Sequence, residues 1–216
     1  PSSPNKNGAA LLAVPPDAAA TLLANLPAHP EQPALLAALA AFHYLPIATA
    51  TLTLAAPWRL PAPMLMLFAD PDRGAYGQWL FDRAALTGRT DAGELTIVIS
   101  AASELSDRNN TLRLLEAQVR EQLPAAMPAV THRTLISEKR ATFAATPGLA
   151  RPGAQTVWPG LVLAGDWTDT GYPGVLEGAV RSGLTAAQVV LDQLLAKNAT
   201  SGKDAKCASQ IKHCAR

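Results

Sequence analysis

Cysteine is scarce in this sequence: there are two, Cys207 and Cys214, both among the last ten residues. Nothing before them calls for a disulfide, which fits a reducing compartment. Aromatic residues make up only 5% of the chain, too few for an aromatic cage of the kind that binds quaternary amines. No apolar run approaches the roughly 18 to 20 residues that span a bilayer. The opening Pro-Ser-Ser-Pro-Asn-Lys-Asn-Gly has no signal-peptide pattern and reads as a polar loop. A net charge of +1 gives no reason to expect a nucleic-acid partner. Lysine is absent between Lys6 and Lys139. Absent throughout is a Gly-x-Gly-x-x-Gly turn, whose backbone N–H groups hold a dinucleotide pyrophosphate at a helix N-terminus.

What remains is the composition of a folded protein. The 216 residues are 49% hydrophobic and 16% charged, enough to bury a sizeable core. Charge marks a boundary near Lys197. From there Lys197, Lys203, Lys206, Lys212 and Arg216 face Asp204 alone, so residues 197–216 carry +4 and the preceding chain −3. This tail reads as a basic, disordered extension. Its functional alternatives are a membrane-surface patch and a metal site at Cys207, His213 and Cys214. The second lacks a fourth ligand and a recognised zinc spacing, so no metal is expected.

The most informative segment runs from Leu161 to Gly183. Leu161 to Ala164 is a short apolar strand, and Gly165-Asp166 places a carboxylate at its carboxyl end, where open α/β sheets bind ligands. Trp167 to Gly174 contains two glycines and a proline that break regular structure. A helix then starts near Gly174 and runs from Val175 to about Leu195. The unpartnered N–H groups of its first turn suit an anion, or a carbonyl that gains negative charge. Small residues at Gly178, Ala179, Ser182 and Gly183 permit close packing on a neighbour or a cofactor chain.

This pattern of apolar strand, Gly-Asp, loop, Pro-Gly, Glu-Gly-Ala and Ser-Gly resembles the C-terminal flavin-binding motif of the amine oxidase and carotenoid desaturase superfamily. More narrowly, Ala-Gly-Asp-Trp-Thr-Asp-Thr-Gly is similar to the squalene-associated FAD-dependent desaturases, or hydroxysqualene dehydroxylases. Leu11 to Pro16, Gln78 to Arg83 and Glu138 to Pro147 carry the same resemblance, which spans about residues 9 to 196. The resemblance implies FAD as cofactor, with Asp166 accepting from the ribityl hydroxyls. It places Gly165, Gly174 and the N–H groups of Val175 and Leu176 around the flavin, and Val14 close by. The substrate it implies is a polyisoprenoid, and the reaction is reductive removal of the allylic hydroxyl of hydroxysqualene, giving squalene for hopanoid synthesis. A phytoene or carotenoid desaturase is the alternative. An amine oxidase loses ground, because many of that group carry a lysine on the first substrate-domain strand and Ile47 to Leu54 has none.

The fold class expected is α/β (α+β): the C-terminal part of a two-domain, Rossmann-like FAD-binding flavoprotein with an antiparallel-sheet substrate domain. The expected division is 1–16 in the FAD-binding domain, 17–150 in the substrate domain, 151–196 back in the FAD-binding domain, and the tail. Strands are expected at Ala9–Val14, Thr49–Leu54, Met64–Phe68, Gln78–Phe81, Leu95–Ser100 and Thr131–Ile136. Helices are expected at Asp17–Asn25, capped by Asp17, at Pro33–Phe42, and at Asn109–Gln122, stopped by Pro124. With that resemblance, the absent glycine turn leads to the expectation that these residues are the C-terminal half of a longer flavoprotein, whose N-terminal half supplies the pyrophosphate site. A non-catalytic remnant or interaction subunit is the reading from a different class.

Catalytic residues are not fixed by the sequence. Asp169 and Tyr172 are the candidates for protonating a leaving hydroxyl, since both lie beside the flavin motif. His29, His43 and His132 stand apart from any carboxylate motif and read as structural. Glu138-Lys139-Arg140 reads as a charged rim, with a cofactor phosphate as the alternative. Trp158 reads equally as a strand-edge residue or a neighbour of the cofactor. Leu52, Leu54, Met64, Met66 and Phe68 read as core before tunnel lining. The protein is expected in the cytoplasm, with peripheral membrane contact.

Overall fold

The computed structural model describes residues 8–103, 105, 107–123 and 126–200, the last four as backbone alone. The tail beyond 200, with Cys207, His213 and Cys214, lies outside the described residues, as do the opening loop through Asn7 and the Pro124 helix stop. Contacts divide the chain into two compact units. One takes the residues up to His43 and those from Phe143 onward; the other is Tyr44–Thr142.

In the first unit, strand β1 (Ala10–Leu12) pairs in parallel with strand β7 (Leu161–Leu163), with Leu11 opposite Val162. Both are short because a proline pair follows one and a glycine the other. Helix α1 (Pro16–Ala24) begins at Pro16, which suits a first helical position where no N–H partner is needed. Asp17 therefore sits in the first turn and is not the cap expected of it. Helix α2 (Gln32–Ala40) packs on α1, and Gln32 Nε2 donates to the Leu23 carbonyl at 2.8 Å. Helix α5 (Leu176–Thr200) covers β7 through Ala186, Val189 and Val190.

The second unit is a five-stranded sheet in the order β3-β4-β5-β2-β6. Its strands are β2 (Tyr44–Leu54), β3 (Met64–Met66), β4 (Trp79–Asp82), β5 (Gly93–Ser100) and β6 (Val130–Phe143), the last running one residue into the first unit. β2 pairs antiparallel with β5, β5 with β4, and β4 with β3. Period-two alternation in β2 and β5 sends Ala48, Ala50, Leu52, Leu54, Leu95, Ile97 and Ile99 to one face. There they form a core with Leu112, Leu115 and Val119 of helix α4 (Arg108–Gln122). A four-residue helix α3 (Arg83–Leu86) follows β4, capped by Asp82, whose Oδ1 accepts the Ala85 N–H at 2.8 Å.

Three differences from the expected elements have physical reasons. The units divide at 43/44 and 142/143, not at 16/17 and 150/151, because the α1–α2 connection accepts a bond from Trp158 and Phe42 packs on Phe143 and Trp167. β6 extends to Phe143, well past Ile136. The exposed run Ser137 to Arg140 hid it from an apolar-pattern reading, and charges are what an edge strand carries against stray pairing. The third concerns the apolar residues assigned to one core. The register Leu65–Leu80–Ile97–Ala50 lies on the α4 face, so Met64 and Met66 lie on the opposite face. Met64 is 51% exposed, Met66 76% and Phe68 77%, whereas Leu52 and Leu54 are buried.

Candidate functional site

β7 ends in Gly165, whose φ is +145°, and a Cβ there would lie 2.3 Å from Trp167 Nε1. Only glycine allows the indole to fold back over the strand end. Trp167 is buried, and its Nε1 donates to the Val14 carbonyl at 3.0 Å. That bond joins the end of the β1 segment to the turn after β7. The Gly165 N–H donates to Ser182 Oγ at 2.8 Å, which ties the strand end to α5. Thr168 closes the turn, its N–H and hydroxyl both donating to the Gly165 carbonyl, at 3.0 and 2.9 Å.

Asp166 follows, half-buried, and its carboxylate has no hydrogen-bond partner among the described residues. α5 starts at Leu176, one residue later than expected. The Val175 N–H donates to the Pro173 carbonyl at 2.8 Å, and the Val175 carbonyl accepts the first helical bond from Ala179 at 3.1 Å. Of the two N–H groups expected at the flavin, Val175's is therefore engaged within the turn, while Leu176 opens the helix. Gly178 is buried against the turn, where a Cβ would lie 3.1 Å from the Pro173 carbonyl oxygen.

Gly165, Asp166, Gly174, Val175, Leu176 and Val14 thus belong to one strand-end and turn assembly. Asp169 is exposed, its N–H donating to the Pro152 carbonyl at 2.8 Å. Tyr172 is half-buried under the Arg181 guanidinium, 4.8 Å from its ring centre. Arg181 in turn pairs with Glu177 at 2.7 Å. The donor set fits a flavin: a carboxylate without a protein partner could accept from ribityl hydroxyls, and a helix start suits an oxygen that gains charge.

Other candidates lie elsewhere. Trp158 Nε1 donates to the Pro27 carbonyl at 2.9 Å, which ties it to the α1–α2 connection. Glu138 Oε1 accepts the Arg140 N–H at 3.0 Å, and the Arg140 guanidinium stacks 4.6 Å over Tyr44, both on the second unit. His29 Nδ1 accepts the Glu31 N–H at 3.3 Å, His132 Nε2 lies 3.0 Å from Thr134 Oγ1, and His43 is exposed. Among the described residues no His, Cys, Asp and Glu cluster could hold a metal. No described helix is long and apolar enough to cross a membrane.

Sequence reasoning missed Arg151. Its guanidinium donates to the carbonyls of Asp166 at 2.5 Å and Trp167 at 3.3 Å, to those of Thr168 and Tyr172, and to Thr170 Oγ1 at 3.2 Å. The Phe143 ring lies beneath it at 5.4 Å, and Phe42 packs edge-on to both Phe143 and Trp167. Main-chain acceptors leave no side-chain motif, so the one available signal was a lone arginine, followed by proline, just before the motif.

The model of the flavin containing amine oxidoreductase family matches residues 6–191. The chain is 36% identical over 193 residues to a hydroxysqualene dehydroxylase of Rhodopseudomonas palustris, covering 85% of this chain and 38% of that protein. It is 36% identical over 194 residues to a hydroxysqualene dehydroxylase of Sinorhizobium fredii, covering 86% and 39%. The chain thus spans about two fifths of the length of these curated relatives. Among solved structures, an oxidoreductase from Methanosarcina mazei is similar with a TM-score of 0.53 at 15% identity, over 83% of this chain and 42% of that one; at that identity it supports the fold alone. The chain belongs to the flavin-containing amine oxidoreductase family, which makes FAD its cofactor.

Proposed function

We propose that the protein is an FAD-dependent oxidoreductase that removes the allylic hydroxyl of hydroxysqualene, yielding squalene for hopanoid synthesis. The observation that carries this reading is the 36% identity, over most of the chain, to two hydroxysqualene dehydroxylases. Reduced flavin would supply the two electrons for replacing the C–O bond by C–H, with the oxygen leaving as water. This chain would hold the flavin end: the Asp166 carboxylate receives the ribityl hydroxyls, and the first turn of α5 from Leu176 faces the edge that gains charge. The pyrophosphate end would be held by a Gly-x-Gly-x-x-Gly segment outside this sequence.

The sheet face opposite α4 suits a hydrocarbon. Met66, Trp79, Val98 and Thr49 form one cross-strand row, and Met64, Phe81, Thr96 and Thr51 the next. Met64, Met66 and Trp79 are exposed and the rest half-buried, so apolar area grades into threonine hydroxyls across the sheet. The same apolarity suits contact with a membrane surface, where such a substrate dissolves. Asp169 and Tyr172 are the candidate proton donors.

The test is incubation of the FAD-loaded complete protein, reduced, with hydroxysqualene and, oxidised, with phytoene, whose desaturation would deliver two electrons to the flavin. Squalene is the expected product; desaturated phytoene, or no turnover of either, would sink the reading. Comparing Asp169→Asn with Tyr172→Phe then identifies the donor, whose loss lowers kcat by roughly 10²- to 10⁴-fold. Co-sedimentation with phospholipid vesicles tests the membrane contact.

A further inference from the structure

Arg151 is the one charged side chain whose described hydrogen bonds all fall within the turn that carries Asp166. It bonds the carbonyls of Asp166, Trp167, Thr168 and Tyr172, so four acceptor dipoles converge on one cation. Without the guanidinium these carbonyls would repel one another and turn toward water. A trans peptide unit sets its C=O and the following N–H on opposite sides. Drawing the Asp166 carbonyl toward Arg151 therefore turns the Trp167 N–H away from it, and that N–H has no partner among the described residues. The Asp166 carboxylate also escapes the guanidinium, which takes the main-chain oxygen of the same residue.

We propose that Arg151 is the positioning residue of the flavin-facing turn, gathering its carbonyls on one side and leaving the Asp166 carboxylate and the Trp167 N–H for the cofactor. The inference rests on the reading that this turn meets FAD. Lysine would not substitute: an ammonium has three donors around one point, whereas the planar fork reaches acceptors on several sides at once. A fixed positive charge behind the turn also favours the reduced, more negative flavin.

The test uses Arg151→Lys and Arg151→Ala and three readouts: FAD affinity, the midpoint potential of bound flavin at saturating FAD, and amide hydrogen exchange of the FAD-free protein. Both variants should bind FAD about 10- to 150-fold more weakly, the range for loss of charge-assisted hydrogen bonds. The potential should move to more negative values in Arg151→Ala, which removes the positive charge, and stay near wild type in Arg151→Lys, which keeps it; in both, exchange should quicken at residues 166–172 while β7 and α5 stay protected. Millimolar guanidinium should restore FAD affinity to Arg151→Ala. Wild-type affinity in Arg151→Lys would overturn the proposal. So would a loss of affinity that follows thermal stability alone and is not recovered with guanidinium. Should Arg151→Ala not fold, Arg151→Lys decides through affinity and exchange. Failure of the unmodified complete protein, pyrophosphate-binding segment included, to bind FAD would instead remove the functional reading, and this inference with it.

Discussion

Gly165 faces two independent constraints, a positive φ and a Cβ position already filled by the Trp167 indole. Gly165→Ala should therefore cost at least about 2 kcal/mol in urea denaturation, since the backbone strain alone is about 1–3 kcal/mol. Its neighbour gives a prediction of a different kind. Asp166→Ala should leave stability nearly unchanged, because its carboxylate has no partner among the described residues, yet weaken FAD binding by about 1.5–3 kcal/mol. Unchanged affinity in a titration would remove Asp166 from the site. Thr96 Oγ1 is a buried hydroxyl without a partner among the described residues, so Thr96→Val should be neutral or raise the melting temperature. The place of Gly165 and Asp166 at a strand end was legible because an apolar run stops at them. Arg151 was not, because it binds main-chain oxygens, and Val175's N–H was misplaced because a turn bond to Pro173 takes it first.

Elements with a clear period were read well, and their ends less so. α4 has apolar residues at helical spacing and a cap that the structure makes explicit: Asp107 Oδ1 accepts the N–H groups of Asn109 and Asn110, each at 3.0 Å. Asp107→Ala should cost about 1 kcal/mol in chemical denaturation. β3 was misread because a continuous apolar run looks the same whether one face or both are covered. Only the register with β4 sends Met64 and Met66 away from α4, and no local pattern encodes a register. α5 holds another surface that its sequence left ambiguous. Leu176, Val180, Leu184, Leu191 and Leu195 are exposed, while Ser182 and Ala186 on the other side are buried. Exposed apolar stripes of this kind promote association. Leu184→Glu should reduce self-association of the isolated chain in light scattering, with its circular dichroism unchanged.

At the scale of the whole molecule, family resemblance read further than periodicity could. Spacing alone offered a strand, a glycine turn and a helix; the match over residues 6–191 supplied the family and its flavin. Residues 44–142, by contrast, form a continuous segment with its own five-stranded sheet, covering helix and core. Excised, this segment should unfold cooperatively on heating, as followed by circular dichroism. A broad, gradual melt would show that its core depends on the rest of the chain.

The first unit has no such independence, because its parallel pair joins Ala10 to Leu161. At about 5 to 20 residues per second, a ribosome that has made β1 needs roughly 8 to 30 s to deliver β7. Throughout that interval the intervening sheet can complete its core while β1 still lacks β7. The candidate flavin turn is thus among the last parts of this sequence to acquire a shape.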